Sequence, residues 1–367
     1  MVASRLLTVI CGAVLLAVGA VGCTSQAAQA HHPPAARTPT RPAASSPSTT
    51  GSGGTTNRPG VVTLAFAGDV NFAGRTARLL RDPATAFGPI TSLLKAADFT
   101  ALNLETSVTS RGTPQPKTYH FATKPLAFTA LRDAGVDLVT MANNHVLDYG
   151  RIGLADTLAA ARAARFPYVG IGANAAAAWA PYVTTINGTK IAIIGVSQVA
   201  ELAPSWVATR TRSGEANAIN LRQTLAAVRA AKRLAPVVIV FMHWGTEGQT
   251  CPDANQLALA PKLAAAGASI IIGAHAHVLQ ASGWLGHTFV AYGIGNFLWW
   301  EHSYSTSTGV LELTLHGRAP LTARFLPAVV SSTGRPLPLH GAQARRAAAH
   351  YTSLRACSDL TARPSGR

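Results

Sequence analysis

The chain has 367 residues, 48% of them apolar, which is enough for one large domain or two ordinary ones with a core that needs no cross-links. Its 31 Lys and Arg against 15 Asp and Glu give a formal net charge of +16, a balance that favours anionic lipid, acidic polysaccharide or polyglutamate and that solubility and compositional bias also produce. The basic residues are scattered and no helix-turn-helix, zinc-finger or RNA-binding signature accompanies them, so no nucleic acid is expected as a partner.

Residues 1–22 read as a signal peptide. Arg5 is its positive start, and residues 6–22 form an uncharged apolar stretch too short to span a membrane comfortably. Ala20-Val21-Gly22-Cys23 resembles a bacterial lipobox, which implies lipidation of Cys23 and cleavage just before it. An ordinary secretory signal and an uncleaved anchor are the alternatives, and all three put the remainder outside the cytoplasm, with the lipoprotein reading anchoring it to the cell membrane. Residues 23–60 are rich in Pro, Ser, Thr and Gly and cannot bury enough apolar surface to order themselves, so they form a tether. His31 and His32 within it read as incidental. Of the four cysteines, Cys11 lies in the signal and Cys23 takes the lipid. This leaves Cys251 and Cys357 as an even pair in an oxidising compartment, open to a disulfide or to two free thiols.

The folded part, residues 61–330, begins with VVTLAFAG, an apolar run of strand type that ends in Gly68-Asp69. The same event recurs four times. FTALNLE ends at Asn103 and Glu105, DLVTMANNH at Asn143, Asn144 and His145, VVIVFMHWG at His243, and ASIIIGAHAH at His275 and His277. Helix-like segments rich in Ala and Leu lie between the runs, at 126–134, 152–164, 221–234 and 255–266. This alternation predicts an α/β fold with sheets buried on both faces and with the terminal polar residues gathered on one rim, at the carboxyl ends of the strands. HTFVAYGIGNF, GVLELTLHG and LTARFLP predict antiparallel strands closing the second half. The C-terminal extension 331–367 contains a helix near 343–354.

Carboxylates, an amide oxygen and neutral imidazoles are ligands for Mn, Fe, Zn or Mg. Gly273-x-His275-x-His277 puts two imidazoles on one side of an extended segment, as two ligands of a metal. Singly, the other elements have plainer readings: a turn at Gly68-Asp69, a satisfied loop pair at Asn144-His145, an aromatic packing site at His243-Trp244. The ordered series points to a metal site, where two ions sharing a carboxylate polarise a substrate oxygen and supply hydroxide at neutral pH.

The succession GDV, NLE, ANNHVLDYG, HWGTE, GAHAHVLQ and YGIGNF, spread over residues 61–326, resembles the CapA family of poly-γ-glutamate capsule proteins, within the calcineurin-like metallophosphoesterase superfamily. The resemblance implies a four-layer α/β/β/α sandwich and two divalent metal ions. It implies Asp69 and His277 on the first metal, Glu105 bridging both, and Asn144, His243 and His275 on the second, with His145 as general acid. Asp148 either orients His145 or shapes the turn before Tyr149-Gly150. Glu247 either contacts substrate or a ligand histidine or is a solvated loop carboxylate. Asn71, Asn143 and Asn296 stand beside the site as supporting or substrate-contacting groups.

Asn71 replaces the histidine that many phosphoesterases have two residues after the first Asp, Glu105 replaces a bridging Asp, and Val146 stands where an acid is common. These departures argue against an ordinary phosphodiesterase and make the first metal the weaker one. The implied function is synthesis, export or processing of poly-γ-glutamate or a similar anionic polymer at the cell surface, alongside membrane-bound capsule synthesis proteins. The alternatives are an exported metal-dependent phosphoesterase acting on another substrate and a non-catalytic envelope scaffold.

Overall fold

A computed structural model describes residues 60–317 and 319–366 of the chain; residues 1–22, expected as a signal peptide, Cys23 and the expected tether as far as residue 59 lie outside the described residues. β1 (Val61–Val70), β2 (Phe99–Leu104), α1 (Leu126–Asp133), β3 (Leu138–Thr140), α2 (Gly150–Ala164) and β4 (Tyr168–Val169) form the first half, with β1, β2, β3 and β4 paired in parallel. A hairpin of β5 (Tyr182–Ile186) and β6 (Thr189–Ser197) opens the second half. It continues through α3 (Leu221–Leu234), β7 (Val237–Trp244), α4 (Ala254–Ala266), β8 (Ile270–His275), β9 (Ser282–Leu285) and β10 (Thr288–Ala291). These six strands make a second sheet in the order β9-β10-β8-β7-β6-β5.

The chain then returns to the first sheet with β11 (Asn296–Leu298), β12 (Ser307–His316), β13 (Ala319–Val330) and β14 (Pro336–Pro338), and ends in α5 (Gly341–Ser353). The eight-stranded first sheet runs β14-β13-β12-β1-β2-β3-β4, with β11 beside the end of β1.

Alternation along the strands explains the layers, because successive side chains point to opposite faces. Leu64 and Phe66 of β1 pack between the sheets with Ile193, Ile239, Phe241, Ile270 and Ile272. Their neighbours Ala65 and Ala67 point the other way, toward Phe128, Leu131, Leu154 and Leu158 of α1 and α2. In the second sheet Ile194, Val240 and Ile271 face outward onto Val228 of α3 and Leu259 and Leu263 of α4. The result is an α/β/β/α sandwich, and the near-continuous apolar runs follow from strands buried on both faces.

The helices form where the spacing predicts them. α4 begins with a reciprocal cap in which the Asp253 side chain accepts from Gln256 N and the Gln256 side chain accepts from Asp253 N. Asp253→Ala is expected to lower stability by about 1 kcal/mol, read from denaturant unfolding; an unchanged midpoint would show that the cap contributes nothing.

The region after β8 departs from the expectation in part. β12 and β13 are antiparallel as predicted, but HTFVAYGIGNF is not an antiparallel segment throughout. β10 lies antiparallel to β9 yet parallel to β8, and β11 runs parallel to β1. The reason is that the chain crosses here from one sheet to the other. The crossing is tight, since a Cβ on Gly68 would lie 1.7 Å from the carbonyl oxygen of Gly295. The residues after 331 are also part of the packed fold: β14 extends the first sheet, and Tyr351 of α5 stacks on Phe325 at 4.0 Å. Cys251 and Cys357 form a disulfide, with Cα atoms 5.6 Å apart, that ties the segment after α5 to the loop after β7.

Candidate metal centre

Asp69 lies near the carboxyl end of β1, and the register sets it beside Asn103 of β2 on one side and Asn296 of β11 on the other. Glu105 follows the last residue of β2, Asn143 to His145 follow β3, and His243 and His275 stand at the ends of β7 and β8 in the facing sheet. Convergence on one rim follows from parallel strands whose carboxyl ends point the same way in each sheet. Every one of these side chains is buried.

Their contacts are close. Asp69 Oδ1 accepts from Asn103 Nδ2 at 2.8 Å, and Asp69 Oδ2 accepts from the backbone N–H of His275 at 3.2 Å and lies 3.3 Å from His277 Nδ1. His243 Nε2 is 2.8 Å from Asn144 Oδ1 and 3.7 Å from Glu105 Oε1, and its Nδ1 is 3.2 Å from Asn103 Nδ2. Ligand atoms of Asp69, Glu105 and His243 lie within 4.8 Å of one another, and so do those of Glu105, His275 and His277. Glu105 belongs to both groups. The contacts Asp69–His277 and His243–Asn144 follow the partition that the resemblance implied, whereas the two tight groups cross it.

The donor set fits divalent cations. Glu105 Oε1 and His275 Nδ1 are buried without a hydrogen-bond partner among the described residues, a costly arrangement for atoms with nothing to bind. Burial first, and then the nearby Asp69 carboxylate, push the Glu105 carboxyl well above its usual range. Burial first, and then the neighbouring histidines, hold His243 and His275 well below theirs, in the neutral form that ligates metal. His275 and His277 also have φ of 90° and 57°, a left-handed backbone that costs about 1–3 kcal/mol each and is typical of functional sites.

His145 is clamped beside the cluster. Its Nδ1 is 2.7 Å from Asp148 Oδ2, its Nε2 is 3.8 Å from Glu105 Oε1, and the Phe121 ring stacks on it at 4.1 Å. Burial lowers the His145 pKa and the Asp148 contact opposes that shift. Asp148 also accepts from Phe121 N at 2.6 Å and pairs with Lys117 Nζ at 3.1 Å. The Lys117 side chain is 2% exposed, reaches Glu201 at 3.0 Å and donates to the carbonyl of Asn144. Asp148 is therefore placed to orient the imidazole.

Asn143 fixes the same loop: its Nδ2 donates to Asn103 Oδ1 at 3.0 Å and to Leu104 O at 2.9 Å, and its Oδ1 accepts from His145 N. Asn296 Oδ1 sits 2.9 Å from His277 Nδ1. Glu247, partly exposed, accepts from Tyr304 Oη at 2.8 Å and lies 3.9 Å from His277 Nε2. Asn71 Oδ1 accepts from Ala73 N, and its Nδ2 is buried without a hydrogen-bond partner among the described residues.

Lys117, Phe121 and Trp299, which packs on His277 at 4.5 Å, were not legible as site residues. The segment that carries Lys117 and Phe121 has neither period, and nothing marked Lys117 among 31 basic residues.

The pattern of the family described as "Bacterial capsule synthesis protein PGA_cap" matches residues 63–299, a span that holds the whole cluster from Asp69 to Asn296. The chain is 28% identical over 272 residues to "Capsule biosynthesis protein CapA" of Bacillus anthracis, covering 71% of this chain and 66% of that protein. It is 29% identical over 271 residues to "PGA biosynthesis protein CapA" of Bacillus subtilis, covering 72% and 70%. Among solved structures, a novel phosphatase of Mycoplasma pneumoniae aligns with 73% of this chain and 94% of its own, at 16% identity and a TM-score of 0.46. The chain belongs to the bacterial capsule synthesis protein family PGA_cap.

Proposed function

We propose that the protein acts outside the cytoplasm in the synthesis, export or processing of poly-γ-glutamate or a similar anionic envelope polymer, through a hydrolytic site that holds two divalent cations. The observation that carries the reading is Glu105, a buried carboxylate common to two groups of ligand atoms at one rim. The name of the Bacillus subtilis relative, a PGA biosynthesis protein, suggests the polymer, and the lipobox-like segment ending at Cys23 suggests attachment to the membrane, where capsule synthesis proteins of the membrane are the natural partners.

In this reading Asp69, Glu105, Asn144, His243, His275 and His277 hold Mn, Fe, Zn or Mg. When bound, such cations supply Lewis acidity toward a substrate oxygen. The chain's own residues do the rest. Asp148 accepts the Nδ1 proton of His145, so Nε2 is the atom that carries a proton to the leaving group. Phe121 covers one face of the imidazole, keeps water from it and holds its angle. Lys117 balances the buried Asp148 charge, so that Asp148 stays an acceptor.

Incubation of the purified protein with poly-γ-glutamate and, separately, with an aryl phosphodiester tests this. Release of small γ-glutamyl products, falling at least 100-fold in Asp69→Asn, is expected. Turnover of the phosphodiester alone would transfer the site to another substrate class, and no turnover of either with metal supplied would leave a binding scaffold.

A further inference from the structure

A cavity of about 890 Å³ opens beside the β9–β10 edge of the sandwich, and none of its lining residues belongs to the metal cluster. Its walls are Trp284 and Phe289 of the β9–β10 hairpin, Phe325 of β13, Tyr351 of α5, and the chain that follows α5. The register fixes its position. Phe289 pairs with Ile270, the first residue of β8, whereas His275 is the last. Ala323 of the lining pairs with Leu313, which pairs with Leu64 near the start of β1, while Asp69 stands at the other end of that strand.

The lining is chemically asymmetric. Trp284 and Phe289 meet edge to face at 5.6 Å, and Phe325 stacks on Tyr351, so one side is aromatic. The other side carries Arg355 and Arg363, and no Asp or Glu lines the cavity. Among the described residues neither arginine pairs with a carboxylate. Arg355 Nε donates to Ser282 O at 2.7 Å, which aims the fork without using its terminal nitrogens.

Tyr351 is 3% exposed, and its hydroxyl has no hydrogen-bond partner among the described residues, with Ser282 alongside but outside bonding geometry. A buried hydroxyl without a partner is unusual enough to need a reason. Burial pushes its pKa up to about 12, so it remains a donor at any physiological pH.

The fourth wall is held in place. Trp284 and Thr361 exchange two backbone hydrogen bonds at 2.9 Å, Ser365 N donates to Gly286 O at 3.0 Å, and Cys357 is tied to Cys251.

We propose that this cavity is a second binding site, for an amphipathic carboxylate whose apolar body lies against the aromatic walls and whose carboxylate meets the Arg355 and Arg363 guanidinium groups and the Tyr351 hydroxyl. Its volume suits a small ligand, and planar guanidinium groups suit a carboxylate. A stretch of γ-glutamyl units, with methylenes between carboxylates, has this chemistry, and so does a fatty acid. The site is separate from the metal centre and does not depend on its function.

The test is calorimetric titration of the full-length protein with γ-linked triglutamate and, separately, with decanoate. Saturable binding of at least one probe is expected, and the probe that binds identifies the source of the ligand. Affinity falls at least tenfold in the Arg355→Gln, Arg363→Gln double variant and severalfold in Tyr351→Phe, which keeps the ring stack and so guards against loss of folding. It is unchanged in Asp69→Asn. Binding of neither probe, affinities within twofold of the parent in all cavity variants, or equal loss in Asp69→Asn would each overturn the proposal.

Discussion

Replacing Glu105 by Gln is expected to abolish the stabilisation that divalent metal confers and, at the same time, to make the metal-free protein more stable. Both effects come from one buried oxygen. Glu105 is 0% exposed, its Oε1 has no hydrogen-bond partner among the described residues, and Asp69 lies close enough to raise its pKa further. An amide of the same shape removes the buried charge, a gain of about 1–2 kcal/mol, but it is a weak ligand and cannot neutralise two cations.

The pH dependence follows from the directions of the shifts. An acid whose folded pKa is raised binds more protons folded than unfolded, so the Glu105 contribution is lost as pH rises above its ordinary 4.5. His243 and His275 are shifted down from 6.5, so the unfolded chain binds more protons and stability is lost as pH falls below that value. Between 4.5 and 6.5 the two histidines outweigh the one carboxyl, so the metal-free parent protein is most stable near the ordinary histidine value of 6.5, and Glu105→Gln removes the loss on the alkaline side. Scanning calorimetry with and without chelator from pH 5 to 8 reads both effects. A metal-dependent rise in Tm that survives in the variant would remove Glu105 from its shared position.

Breaking the disulfide is the second large effect. Cys251 and Cys357 are 106 positions apart, and closing a loop of that length restricts the unfolded chain by about 4.7 kcal/mol in the entropic account, with measured removals at about 2–5 kcal/mol. Cys357→Ser is expected to lose a stability in that range, seen as a shift of the denaturant midpoint to lower concentration. Neither cysteine is among the ligand residues, although Cys251 sits on the loop after β7 whose Gly248 N donates to Ala276 O between the two histidines, so metal affinity is expected to persist in the folded variant. A loss below about 1 kcal/mol would mean that the backbone pairing of Trp284 with Thr361 already closes the chain end in the unfolded ensemble.

The cluster was legible because each ligand follows an apolar run, and in a sandwich of parallel strands the ends of such runs meet. Helix α3 was legible at both ends, with Asn220 accepting from Gln223 N at its start. What stayed hidden depends on contacts between distant segments. Lys117 acquires its place through Asp148 and Glu201, which lie 31 and 84 positions further on, and local pattern carries no trace of that. The parallel course of β11 beside β1 follows from a crossing between sheets that only close packing at Gly68 specifies. β14 is Pro-Leu-Pro, a composition that disfavours strands in general but is tolerated at the edge of a sheet, which is where it lies.

Metal analysis of the purified protein after loading with Mn, Fe, Zn or Mg and removal of excess ion tests the central claim most directly. About two equivalents per chain are predicted for the parent, and close to none for Glu105→Gln, whose fold is intact by calorimetry. A parent protein that retains no metal under any of these conditions, or a Glu105→Gln protein that retains as much as the parent, would contradict a centre built on a shared carboxylate.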